Sequence, residues 1–163
     1  MKKVLFTTLT ILWMLVIFMF SAKPADESTQ MSRSVGKIVG EIFISEFHEW
    51  PESRQEVFAE RIDHPVRKCA HASEYAILGI LLCISVSCYR TEKCAMYVFI
   101  AGAAYAASDE FHQLFVAGRS CQVTDVLIDS MGVLTGILLI YMVNEIKKQV
   151  LQKENDGLMR KSK

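Results

Sequence analysis

Apolar and polar residues fall into long separate blocks along this chain, not into a fine alternation. Four blocks approach the roughly 20 mostly apolar positions that a helix needs to cross a bilayer. They run over about 4–20, 72–89, 94–115 and 123–143. Polar residues enter them only near certain ends: Ser73 and Glu74 at the start of the second, the last turns of the third, and Thr124, Asp125, Asp129 and Ser130 at the start of the fourth. The pattern predicts an all-α, polytopic membrane protein with four transmembrane helices. The first block, with Lys2 and Lys3 before it and small residues near Ser21 and Ala22, shares features with a secretory signal. Its apolar run of about 17 residues exceeds the usual 7–15 of a signal core, so a retained span is expected.

The one long connection, 21–66, carries helical patterns of its own and is expected to form an extracytoplasmic helical loop. Val35, Ile38, Val39, Ile42 and Phe43 recur at helical spacing, with Ser32 or Ser34 placed to cap the start. This helix is expected either to cover the site or lie on the bilayer, or to pack on the bundle. Pro51 suits the opening of a second helix over Glu52 to Ile62, and Pro65 is expected to end that segment before the second span.

Lysine and arginine near the span ends set orientation. Lys2 and Lys3, Arg90 and Lys93, and the basic tail from Lys147 to Lys163 lie on one side of a four-span chain, while Arg119 alone marks the short connection opposite. Both termini and the 147–163 tail are therefore expected in the cytoplasm. Overall charge is balanced, with 18 Lys and Arg against 18 Asp and Glu. That gives no basic field for nucleic acid. The five cysteines, Cys69, Cys83, Cys88, Cys94 and Cys121, contain no Cys-x-x-Cys pair. A thiolate zinc site is not expected, and buried free thiols are.

This orientation brings every ionisable residue of the spans to the outer membrane face. Such groups are costly at membrane depth, pair with one another, and mark function. Arg67, His71 and Glu74 share a helical face, flanked by Lys68. Glu74 needs a cation, for which Arg67, His71 and Arg119 are candidates. A His and a Glu at this spacing also ligate metals in helical sites, but pairing is the favoured reading and no metal is expected. The third span ends with Ser108, Asp109, Glu110, His112 and Gln113. Its adjacent carboxylates point about 100° apart, one toward the bundle and the other toward the rim or Arg119. Gly118 is a candidate C-cap. Arg119 offers a planar fork matching carboxylate or phosphate. On the fourth span, Asp125 and Asp129 lie one turn apart. Gly132 and Gly136 continue the stripe at a spacing that admits a close neighbour.

The blocks Arg67-Lys-x-x-His71-x-x-Glu74-Tyr75, Ser108-Asp109-Glu110-x-His112-Gln113-x-Phe115, Gly118-Arg119 and Asp125-x-x-x-Asp129 resemble the VanZ family of membrane proteins. Ser21 just after the first span fits the same pattern. The resemblance covers about Leu5 to Met142 and makes 1–146 the membrane domain. The family's usual aromatic after the histidine is here Ala72. The family takes its name from a protein giving low-level resistance to teicoplanin. The resemblance implies a small integral protein of the bacterial cytoplasmic (inner) membrane tied to the cell envelope. It supplies no reaction and no cofactor.

Three functions compete. The favoured one is non-catalytic binding at the outer face of an anionic lipid headgroup, a lipid-linked wall precursor or a glycopeptide antibiotic. The second is a membrane enzyme acting on a phosphorylated lipid. Arg119-x5-Asp125-x3-Asp129 faintly echoes the Arg-x5-His-x3-Asp segment of membrane lipid phosphatases, with aspartate in the histidine's place. The third is a purely structural polar network locking the helices together.

Overall fold

The computed structural model describes residues 2–88 and 94–161. Five α-helices follow one another: α1 (Lys2–Ser21), α2 (Ala25–Phe43), α3 (Glu52–Cys88), α4 (Cys94–Gln113) and α5 (Val123–Lys161), with a short 3-10 turn at Phe47–Glu49. No strand occurs among the described residues. The expected turn around Arg90 and Lys93, and the side chains of Cys88 and Cys94, lie outside the described set.

Helix α3 is the centre of the bundle. It packs on α5 most extensively, then on α2, α1 and α4. Tyr75 and Leu78 of α3 are fully buried with Ile17 of α1, Val98 of α4 and Val133 of α5. Outward residues are as apolar as this core: Leu5, Ile11, Leu15 and Met19 on α1, and Leu138, Tyr141 and Met142 on α5, are all at least half exposed. Water would penalise such a surface, and hydrocarbon does not. Helices α1, α3 and α5 are long and apolar enough to cross a membrane. Helix α4 is not among them: it matches α1 in length, but its last turns carry Asp109, Glu110, His112 and Gln113.

The α3–α5 seam is drawn tight by glycine. A Cβ built on Gly136 would collide with the Ala76 carbonyl, and one on Gly132 with that of Ala72. The small-residue stripe expected from sequence thus brings two backbones into contact, and long apolar helices gain van der Waals packing where lipid gives no hydrophobic drive.

Pro65 does not end a helix, as the sequence pattern suggested. It lies inside α3, which runs unbroken from Glu52 to Cys88 and merges the expected loop helix with the second span. Proline removes one backbone hydrogen bond and costs about 3 kcal/mol in a free helix. Here both flanks are clamped to α2. Ser32 donates to Asp63 before the proline, and Arg67 donates to Thr29 after it at 3.1 Å.

Helix α2 starts at Ala25, behind Pro24, rather than at a serine cap. Proline fixes φ for helix entry, and Asp26 and Glu27 suit the positive end of the dipole. Ser32 and Ser34 lie inside the helix and donate to carbonyls one turn back. The face of α2 turned to α3 is its small one, Ser32, Gly36 and Gly40. The periodic apolar residues stay outside: Val35 is 46%, Ile38 54%, Ile42 68% and Phe43 80% exposed. Helix α2 does pack on the bundle, but through a line of small residues about a quarter-turn round from the centre of its apolar stripe.

Candidate functional site

Four helix segments meet at one end of the bundle: the end of α1 at Ser21, the middle of α3 from Arg67 to Tyr75, the end of α4 from Asp109 to Gln113, and the start of α5 from Asp125 to Asp129. The loop 114–122 closes this end through a chain of turns. Helix α4 stops at Gln113, short of the expected Phe115. Gly118 is therefore not its C-cap. It sits in the following turn with φ 73°, where Arg119 N–H bonds the Val116 carbonyl at 3.1 Å, a conformation glycine adopts without strain. The same loop is pinned to α2 by Ala25 N–H on the Ala117 carbonyl at 3.1 Å.

The polar residues divide into paired and unpaired sets. Lys68 forms an ion pair with Asp125, joining α3 to α5. Arg67 pairs with Asp63 at 2.6 Å, not with Asp129 or Glu74. Glu110 is buried and faces the loop, accepting from Gln113 at 3.0 Å and from Gln122 N–H at 3.0 Å, and does not reach Arg119. Ser108 is exposed and donates to the Tyr105 carbonyl of its own helix at 2.7 Å, apart from the cluster.

The second set lacks partners. Asp129 is fully buried, and neither of its oxygens accepts a hydrogen bond. The nearest basic group is the His71 ring, with Nδ1 at 3.9 Å, which is a cation only when protonated. Asp109 is 2% exposed and its carboxylate also accepts nothing. Ser21, Tyr75, His112 and Gln113 lie close enough to act on its charge, but none is in hydrogen-bond geometry. The Tyr75 hydroxyl, Ser21 Oγ and His112 Nδ1 are buried and unbonded too. The His112 ring packs on Phe18 with centroids 4.4 Å apart. Glu74 accepts a bond only through its backbone, from Trp13 Nε1 at 2.9 Å, and its carboxylate pairs with none of its three expected cations.

Arg119 is the other unpaired charge. Its Nε donates to the Lys23 carbonyl at 3.3 Å, and among the described residues no carboxylate lies within ion-pair distance. Burial lowers its pKa from the ordinary arginine value, and the nearby Arg67 cation acts in the same direction.

Two cavities adjoin these groups. One, of about 600 Å³, runs between α2 and α3 with mostly apolar walls. The other, of about 200 Å³, has polar walls that include Lys68, Gln113 and Asp125. Arg67, His71 and Arg119 line both, so they form the boundary between an apolar and a polar compartment. Among the described residues, no three His, Cys, Asp or Glu side chains gather closely enough to hold a metal ion. Of the three cysteines described, Cys83 is buried as expected, while Cys69 and Cys121 are exposed, and none of the three is in a disulfide.

The structure gathers the sequence-marked helix ends at one end of the bundle, and adds Asp63, which the sequence reading did not include. Asp63 was findable: it stands four residues before Arg67, the spacing of a helical ion pair, once α3 is carried through Pro65.

No curated protein and no solved structure matches this chain. A family model described as VanZ/LLP1 matches residues 6–144. With the shared motif residues gathered at one end of an apolar helical bundle, the chain belongs to the VanZ/LLP1 family of membrane proteins.

Proposed function

We propose that this protein binds the anionic headgroup of a membrane lipid at the outer face of the bacterial inner membrane. In this reading α4 completes a fourth span, both termini are cytoplasmic, and the cluster lies at the extracytoplasmic end. The observation that carries it is Arg119: a partly buried guanidinium without a carboxylate, standing where the polar cavity meets the apolar one. Glu110, Asp109 and Asp125 act on this cation only from beyond ion-pair distance, so a partly desolvated guanidinium favours an external anion in direct contact, and its fork matches phosphate or carboxylate geometry.

Size narrows the ligand. The polar cavity of about 200 Å³ is smaller than the roughly 300–1,000 Å³ of drug-sized sites. It suits a headgroup and is far too small for a glycopeptide antibiotic, so any link to resistance would run through a lipid. Arg119→Ala should weaken binding of an anionic lipid to the purified protein by about 10- to 100-fold, the worth of a charged hydrogen bond, with no change in thermal midpoint. Unchanged binding would remove this reading.

A second reading, an enzyme acting on a phosphorylated lipid, draws support from His71. Its Nδ1 faces the buried Asp129 while the ring borders both cavities. A carboxylate behind one ring nitrogen orients the other as a general base, and such bonds are often long before substrate binds. The Asp125 of the phosphatase-like segment is meanwhile held by Lys68. Release of phosphate or headgroup from lipid phosphates or diphosphates, lost in His71→Gln, would establish catalysis. Lipids left intact with and without magnesium would exclude it.

The purely structural reading is disfavoured. A network that only locks helices satisfies its members, whereas Asp109 and Asp129 are buried without a hydrogen bond.

A further inference from the structure

The apolar cavity beside the headgroup site has no assigned role. Its walls include Phe20 from the end of α1, Met31, Val35 and Val39 from α2, and Ile62 and Val66 from α3. It lies beside the small-residue contact of α2 on α3, with Met31, Val35 and Val39 along its α2 wall. At about 600 Å³ it has room for one long alkyl chain but not for an α-helix, which is about 10–12 Å across.

We infer that this cavity holds the alkyl chain of the same phosphate-bearing lipid whose headgroup Arg119 binds. The inference rests on the headgroup reading above and adds the second half of the ligand. Two features of the cavity point to an amphiphile. Its walls are apolar along α2 and α3, and its border with the polar compartment is made by Arg67, His71 and Arg119. A molecule that fits both compartments is apolar on one side of that border and anionic on the other.

Physical chemistry sets a condition on occupancy. Lipid tails are as apolar as the groove, so a chain gains little by leaving the bilayer for it. The chain resides there only when the headgroup is held. Chain position should therefore depend on Arg119, which borders the groove only where it meets the polar compartment.

The test uses the full-length protein in phosphatidylcholine nanodiscs. The probe is a monoacyl glycerophosphate with a photoreactive diazirine in mid-chain, compared with a neutral monoacylglycerol carrying the same chain. The expected result is labelling at Met31, Val35, Val39, Ile62 and Val66, about tenfold stronger for the anionic probe. Arg119→Ala should reduce it to the neutral level. Ala70→Phe should also reduce it: Ala70 lines the cavity and is exposed, so the ring fills the groove and not the core. If that variant misfolds, Val39→Phe fills the slot from the opposite wall.

Labelling spread equally over the outward residues of α1 and α5 overturns the chain slot. The headgroup reading survives that outcome if glycerol phosphate still binds in an Arg119-dependent way. Equal groove labelling by anionic and neutral probes, insensitive to Arg119→Ala, overturns both. Groove labelling unchanged in the filled variants overturns the chain slot alone.

Discussion

Helix α3 is held on two sides by the same device, small residues of a neighbour laid against it, yet the two seams do different work. Against α5, Gly132 and Gly136 bring backbone to backbone, and Tyr75, Leu78 and Val133 fill the space beside them. Against α2, Ser32 and Gly36 make the contact, and beside them Met31, Val35 and Val39 border a cavity and do not fill it. The first seam is a solid wall. The second is a narrow contact with an open groove along it. Small residues permit close approach; whether the space beside them is filled depends on where the large residues point.

Breaking the first seam should have the largest effect. Gly136→Leu places a side chain where the Ala76 carbonyl and the Ile80 nitrogen already stand. It should cost about 3 kcal/mol or more, read as loss of a folded, monodisperse species in detergent.

The paired and unpaired halves of the polar cluster should then respond in opposite ways. Lys68→Ala strands the partly buried Asp125 carboxylate and should destabilise by about 1–3 kcal/mol. Asp129→Leu removes a buried carboxylate that accepts no hydrogen bond. It should leave stability unchanged or raise it while abolishing whatever the site does. Denaturant midpoints of the two variants, measured side by side, decide this. A large loss of stability in Asp129→Leu would restore the structural network.

The smallest effect belongs to the second seam. A methyl at Gly36 meets the Ala59 Cα and Ile62 Cγ1 at 3.3 Å, a contact that a slight shift of α2 relieves. Alanine also gains about 0.5–1 kcal/mol over glycine inside a helix. Gly36→Ala should therefore stay within about 1 kcal/mol of the parent by thermal unfolding. A collapse comparable to Gly136→Leu would show that the two seams are equally rigid.

The elements legible in the sequence were those set by composition over many residues. The apolar blocks are long enough that only helices hide their backbone in lipid. The charges confined to their ends marked one end of the bundle as the site, and the family motifs agreed. What misled was local. Pro65 looked like a boundary because proline breaks free helices, and tertiary clamps from Thr29 and Ser32 hold this one together. The α2 periodicity looked like a buried face because apolar stripes face the core in water. Beside a membrane the same stripe faces outward and the small residues turn in.

Partner choice among the charges was decided by three-dimensional structure alone. Glu74 had three candidate cations in the sequence and Lys68 had no partner assigned, and ion pairing depends on distances of a few ångströms that helical phase does not fix. The sequence by itself determined an all-α membrane protein of the VanZ/LLP1 family with a polar cluster at one end. Only the tertiary structure decided that Asp63 takes Arg67, that Asp125 takes Lys68, that Arg119 has no carboxylate in ion-pair range, that Asp109 accepts no hydrogen bond, and that Asp129 has only His71 beside it at 3.9 Å. The apolar groove is likewise a tertiary product, because an empty space is bounded by residues from several helices and written in none of them.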